Sequence, residues 1–241
     1  MRHLVLPAIL LAAIAHAGPA RAAAAPGLVV AELFTSESCS SCPPADDFLA
    51  ELAQTRPDVL PLAFHVDYWN HLSWRDRFSF AGATARQQRY AATLGSGVYT
   101  PQLVVGGQFQ AVGSNRAAVF SAIDAARAAA GPAPAVAIQT AGGTDLAVAI
   151  GSGSGRATVL LVDYDRMHTT HVGSGENGGV TLTEANAVRG LTKLGEWSGS
   201  ATTFHVSPQA GERHAVILQA PDGRILAAAD DPHAKTQDGG Q

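Results

Sequence analysis

Two regimes of apolar patterning divide the chain. Up to about residue 131, unbroken apolar runs of strand length alternate with segments whose apolar residues recur at helical spacing. Leu28-Val29-Val30-Ala31-Glu32-Leu33-Phe34 is the first run and predicts a strand. Behind it Phe48, Leu49, Leu52 and Ala53 share one helical face, and Pro57 closes that helix. Val59 to Asp67 is a second strand, and Thr84 to Leu94 a second helix ended by Gly95. Between them, Tyr68 to Ala83 is rich in aromatic and charged residues and reads as an inserted loop or short helix. Leu103-Val104-Val105 and Gln108 to Val112 flank Gly106-Gly107, which predicts a hairpin. Ser114 is placed to cap a closing helix from Asn115 to Ala130, with Ala118, Val119, Ala122, Ile123 and Ala126 on its apolar face.

Gly131-Pro132-Ala133-Pro134 reads as a linker, and the period then changes. Short apolar runs follow at Val136–Gln139, Leu146–Ile150, Ala157–Asp163, Ala201–Val206, Ala215–Gln219 and Ile225–Ala229, separated by Gly-rich turn signals. Thr181 to Leu194 reads as a helical turn or an edge strand. This regime predicts a β-sandwich over residues 135–232, with the immunoglobulin-like arrangement as one candidate. Residues 233–241 are polar and read as a flexible tail.

The chemistry-bearing stretch is Ser38-Cys39-Ser40-Ser41-Cys42-Pro43-Pro44, which holds the two cysteines of the 241-residue chain. It sits at a strand-to-helix junction, where a C-x-x-C reads as a redox dithiol. Cysteines three apart in a first helical turn lie close enough to form a small-ring disulfide. The upstream sulfur meets the positive end of the helix dipole, which favours the attacking thiolate. The acids Glu37, Asp46 and Asp47 oppose it. Cys39 is therefore the candidate nucleophile and Cys42 the resolving thiol. As a staple the pair would do little: a four-residue loop is worth about 1.9 kcal/mol in the chain-entropy model, against about 4.7 for a hundred-residue loop. A lone C-x-x-C also supplies only two of the four ligands a structural zinc site wants.

Compartment changes the picture next. Arg2 and His3, the apolar stretch Leu4 to Ala15, and Ala20-Arg21-Ala22 form the pattern of a signal peptide over residues 1–22. The apolar stretch is too short to span a bilayer, and no later segment reads as a membrane span. A periplasmic or secreted protein is expected, in a compartment where disulfides persist. The chain is acidic, with 16 Lys plus Arg against 20 Asp plus Glu, and it has no basic run. That argues against nucleic acid or an anionic membrane as partner. Gly173-Ser174-Gly175-Glu176-Asn177-Gly178 fits G-x-G-x-x-G but lacks a βαβ unit, so a dinucleotide is not expected. This loop reads as a turn, or as a segment docking on the first domain. His168 and His171 read as surface histidines.

The dithiol, the element order and Thr100-Pro101 before a strand resemble the thioredoxin superfamily. More narrowly, Glu32-Leu33-Phe34-Thr35-Ser36, the Cys-Ser-Ser-Cys-Pro-Pro-Ala-Asp run, Phe64-His65-Val66-Asp67-Tyr68-Trp69, Val98-Tyr99-Thr100-Pro101-Gln102 and Gly175-Glu176-Asn177-Gly178-Gly179 resemble a secreted bacterial family catalogued as domain of unknown function 1223. The resemblance implies an α/β thioredoxin-like domain, a mixed sheet with flanking helices, over residues 26–131. It implies a cis Pro101 against the dithiol, and substrate pairing with the backbone at Thr100. It also implies a buried acid beneath the dithiol that accepts the resolving thiol's proton, for which Glu32 is the candidate. The chain departs from ordinary thioredoxins in having no Trp before Cys39 and no Gly-Pro between the cysteines.

The reading is thus an extracytoplasmic thiol–disulfide oxidoreductase-like protein acting on protein thiols or disulfides of the cell envelope. No organic cofactor is implied. One rival is a copper-binding protein using Cys39, Cys42 and His65, since Cu(I) prefers soft sulfur and imidazole also binds copper. The other is a binding module with an inert disulfide. Asp67, His71 and Trp74 could line the site beside His65.

Overall fold

The computed structural model describes residues 27–231. The signal-peptide pattern over residues 1–22 and the tail over 233–241 lie outside the described residues. No helix of the described residues is long and apolar enough to cross a membrane.

Strands β1 (Val29–Thr35) and β2 (Val59–His65) pair in parallel and are buried along their whole length. Burial on both faces is why their sequences are unbroken apolar runs. Ala31 and Leu33 point to helices α1 (Pro43–Thr55) and α3 (Arg116–Ala129), while Val30 and Phe34 point to α2 (Ala81–Leu94). On the other side of β1, β3 (Gln102–Val105) and β4 (Phe109–Val112) complete a unit that fits a thioredoxin-like domain. The β3–β4 turn runs through Gly106 and Gly107 at φ 59° and 68°. Gly107 also lies under another loop, since a Cβ there would come within 2.0 Å of the Gly223 carbonyl.

Three boundaries differ from expectation. The first helix starts at Pro43, so neither cysteine is inside it; Cys42 is its N-cap residue. Proline has no N–H to satisfy and fits the first helical position. The second helix starts at Ala81, three residues early. The cap of α3 is Asn115, whose side chain accepts from Ala118 N, rather than Ser114.

The second half departs further. Strands β7 (Ala157–His171), β8 (Thr181–Trp197), β10 (Arg213–Gln219) and β11 (Ile225–Asp230) join the first sheet in the order β11-β10-β7-β8-β2-β1-β3-β4. The expected edge strand at Thr181 is instead a 17-residue strand in the middle of the sheet. Only β5 (Val136–Gly142), β6 (Asp145–Ile150) and β9 (Thr202–Val206) form a second sheet. Two sheets do face each other there, but one of them is continuous with the thioredoxin-like unit, so a separate β-sandwich does not form. The reason lies in β7 and β10. Val159, Leu161, Val216 and Leu218 pack under the small sheet, while Leu160, Val162, Ala215 and Ile217 pack into the core shared with β1 and β2. Strands apolar on both faces need cover on both.

The β2–β8 seam is narrow, with Ala63 opposite Ala187 as its registered pair. Pro61 contributes no N–H there. Its carbonyl is taken by the Asn186 side chain at 2.7 Å, with Asn186 in the left-handed region at φ 54°.

Glu32 is buried as expected, but its partners are not the dithiol. Arg86 Nε and Nη2 donate to its carboxylate at 2.5 and 3.1 Å, and the Tyr90 hydroxyl donates to Oε2. Arg86 Nη1 reaches Gln219 at 3.0 Å, so the network joins β1, α2 and β10. The Glu32 carboxylate is the anionic partner of a buried guanidinium on α2. Replacing Glu32 by Ala leaves the Arg86 charge buried and unpaired. We expect a loss of about 3–5 kcal/mol in urea unfolding, largely recovered in Glu32→Leu/Arg86→Met. A loss under about 1 kcal/mol in the single variant would contradict the assignment.

Candidate functional site

The dithiol loop hangs between the end of β1 and the start of α1. Cys39 N donates to Ser36 O at 3.0 Å and Cys42 N to Cys39 O at 3.1 Å, folding the four residues into a tight turn. The cysteines form a disulfide with their Cα atoms 5.4 Å apart. Cys39 is 1 % exposed and Cys42 0 %, while Ser40 and Ser41 face solvent. The Thr100–Pro101 bond is cis, as the resemblance implies. Trp69 Nε1 donates to Thr100 Oγ1 at 2.9 Å, and that hydroxyl donates to Cys39 Sγ at 3.3 Å. Pro101 is 1 residue on, its carbonyl held by Gly113 N at 2.9 Å.

The segment after β2 is stapled beneath this loop. Asp76 accepts from Glu37 N at 2.9 Å and bonds His65 Nδ1 at 2.8 Å. Trp74 Nε1 donates to Glu37 Oε2 at 2.7 Å, and its carbonyl accepts from Ser38 Oγ. Of the four residues expected to line the site, His65 and Trp74 reach it. Asp67 turns to Thr84 on α2, and exposed His71 bonds the Tyr68 carbonyl. His65 presents Nδ1 to Asp76, and its Nε2 lies 3.9 Å from Glu184. Both ring nitrogens thus face carboxylates, so a Cys39–Cys42–His65 ligand set is not assembled.

From above, the tip of the β7–β8 hairpin closes the site. Asn177 Nδ2 donates to Glu37 O at 2.9 Å and to Cys39 O at 3.0 Å. Glu176 accepts from Ser40 N at 3.1 Å, and Ser174 donates to Ser73 O. Gly175, at φ 82°, lies with its α-carbon against Trp74. Pattern reading placed this loop as a turn or a docking segment; it docks, on the dithiol itself. Further along β7, Asp165 and His168 meet Glu212, just before β10, and bring three ligand atoms within 4.8 Å. Arg189 Nη1 sits 2.9 Å from Asp165 Oδ2 and already supplies the cation there.

Five buried titratable groups surround the loop: Glu37, Asp46, His65, Asp76 and Glu184. Asp46 is one turn after Cys42 on α1, so the two side chains share a face of the first turn. Burial raises its carboxyl to about 7 despite His65 and the Thr35 hydroxyl, which donates at 2.8 Å. Burial likewise raises Glu184 to about 8. Burial opposes the charge of His65, but Asp76, Glu184 and Asp46 outweigh it and push the imidazole up to about 10. Burial also acts to raise Asp76, yet His65 and two backbone N–H groups hold it below the usual range. Sequence reading placed Asp46 only among the acids that oppose the thiolate. It missed Asp76 and Glu184, for which no local pattern exists.

All three raised groups bind protons more tightly folded than unfolded. Their contribution is fully present below the unfolded values and is lost as pH rises from about 4 to 7 for Asp46, about 4.5 to 8 for Glu184 and about 6.5 to 10 for His65. The melting temperature should therefore fall with rising pH across this range. Asp46→Asn should match wild type near pH 4 and exceed it near pH 8, by about 1–4 kcal/mol at the one-unit conversion of 1.36. Calorimetry at the two pH values checks this, and an unchanged pH slope in the variant would refute it.

Comparison with known proteins places this geometry. A family model described as a protein of unknown function (DUF1223) matches residues 30–219. The crystal structure of protein AGR_C_4864 from Agrobacterium tumefaciens is 32 % identical, covers 87 % of this chain and 96 % of its own, and superposes with a TM-score of 0.76. HBP35 of Porphyromonas gingivalis shares the fold at 16 % identity, with 85 % of this chain and 74 % of its own covered and a TM-score of 0.59. No curated protein matches. With most of its length matched by the family model and by a relative at 32 % identity, the chain belongs to the DUF1223 family.

Proposed function

We propose that this chain is an extracytoplasmic thiol–disulfide exchange protein. The observation that carries the reading is the Cys39–Cys42 disulfide at a strand-to-helix junction, with the Thr100 hydroxyl donating to Cys39 Sγ. The signal-peptide pattern supports the compartment, and the partner class is protein thiols or disulfides of the cell envelope. In the reduced chain, the Cys39 thiolate attacks a partner disulfide, forming a mixed disulfide and expelling one partner thiolate. Cys42 then attacks Cys39 Sγ, expels the second partner thiolate and restores the internal disulfide. Two electrons pass to the partner, and the two protons of the dithiol end on the partner's thiols. The reverse sequence oxidises a partner dithiol. Asp46 takes the role expected of Glu32: it holds the Cys42 proton between steps, since it lies one turn away and ionises near neutrality.

Exchange requires access, and the sulfurs are covered. In this reading the hairpin tip opens for the partner, and Asn177 sets how readily. Asn177→Ala removes two hydrogen bonds worth about 0.5–1.5 kcal/mol each. The disulfide should then be reduced by dithiothreitol about 5- to 160-fold faster than in wild type, read by timed alkylation. An equal rate would mean that the tip does not limit access.

The reduction potential tests the function itself, by equilibration with glutathione and counting of alkylated thiols. A value between about −270 and −120 mV, the range of known exchangers, is expected, together with mixed disulfides trapped by Cys42→Ala. A value well below about −300 mV would mark a structural disulfide and end the exchange reading.

A further inference from the structure

A second concavity lies away from the dithiol loop, between α2 and the strands of the second half. Its volume is about 430 Å³, within the range of small-molecule sites. One wall is a stripe of α2, Arg86, Arg89, Tyr90 and Thr93, at the spacing that puts residues on one helical face. The opposite wall is the face of β7 and β8 turned toward α2, with Leu160 and Leu191 as its apolar floor and Lys193 at the rim.

The charges here are one-sided. Three basic side chains line the cavity and no acidic one does, in a chain with 20 acids against 16 Lys and Arg. One of the chain's two lysines is among them. Arg86 is spoken for, since Glu32 neutralises it from below. Arg89 is exposed and has no ion pair or side-chain hydrogen bond among the described residues. Lys193 pairs with Glu196 at 2.5 Å, but both are more than half exposed, and such pairs contribute little and exchange readily. A concave, partly dry wall focuses the field of the two rim cations. Another concavity among the described residues, near Arg56, Arg213, Asp230 and Asp231, is balanced in charge and lacks this property.

We propose that this cavity binds a small organic anion with an apolar body, a carboxylate or a phosphate ester. The anionic head would meet the planar fork of Arg89 and the ammonium of Lys193. The body would lie on Leu160 and Leu191, over the hydroxyl end of Tyr90. The site uses none of the dithiol residues, so it stands or falls apart from the exchange reading.

Calorimetric titration with two probe pairs tests this: octanoate against its neutral isostere octanamide, and phenyl phosphate against phenol. At least one anion should saturate at one per chain, with its neutral counterpart at least 10-fold weaker. Arg89→Gln/Lys193→Gln should lose at least 10-fold in affinity, and Leu191→Trp, which fills the cavity, should abolish binding. Cys39→Ser/Cys42→Ser should bind as wild type. Both exchanged cations are exposed, so the double Gln variant keeps its fold, checked by its melting curve, and it decides the matter if Leu191→Trp does not fold. Saturable binding by neither anion, equal binding of the neutral counterparts, or undiminished binding in the double Gln variant would overturn the proposal.

Discussion

Two hydrogen bonds from one side-chain amide hold the candidate site closed. Asn177 Nδ2 satisfies the carbonyls of Glu37 and Cys39, across 140 and 138 residues of chain. Those carbonyls are buried, and leaving a buried acceptor unpaired costs about 1–3 kcal/mol. The constraint works in both directions. The dithiol loop is fixed in its tight turn because the amide grips it at two points. The hairpin tip is in turn held against the dithiol loop by the same amide. The loop so held has its two cysteines 1 % and 0 % exposed.

The hairpin can reach that far only because of how the sheet is built. Strands β7 and β8 are 15 and 17 residues long, much longer than a typical strand. Their inner half is clamped by cores on both faces, and the outer half projects beside β2 toward the dithiol. Near Pro61 the seam is held by a side chain: the Asn186 amide, on a left-handed backbone position, donates to the Pro61 carbonyl. The same projection carries Glu184 against His65, so it also sets the ionisation of the groups beneath the loop. Burial of titratable side chains there is costly unless they neutralise one another, and His65 is the cation around which Asp46, Asp76 and Glu184 are arranged.

Much of the first half was legible because its signals are local. The parallel pair β1–β2 announces itself as unbroken apolar runs, the β3–β4 turn as Gly106-Gly107, and α3 as its apolar stripe. The family resemblance carried Thr100 and Pro101 to the dithiol, and the hydrogen bond from Thr100 to Cys39 places the threonine there. Glu32 shows the limit of such carry-over. Its burial follows from its place in β1, but its role follows from Arg86, which lies 54 residues on and on another element. The second half was misread for a related reason. Thr158-Val159-Leu160-Leu161-Val162 has little alternation, which is the mark of a strand covered on both faces rather than of a sandwich strand with one face in water. Thr181 to Trp197 carries a mixed pattern because part of it lies in the core and part on the projecting arm.

What the sequence determined by itself is the chemistry available and its place on the chain: two cysteines at redox spacing, strand before and helix after, and an order of elements that permits a thioredoxin-like unit. Local spacing and backbone preference suffice for that, since each signal spans fewer than about 15 residues. Only the tertiary structure decided what surrounds the sulfurs. The acid on the helix that Cys42 caps, the histidine at the end of β2, the carboxylate on β8 and the amide at the hairpin tip meet through sheet order and strand length. Those are settled by how both faces of each strand find cover, a property of the whole chain that no single segment carries.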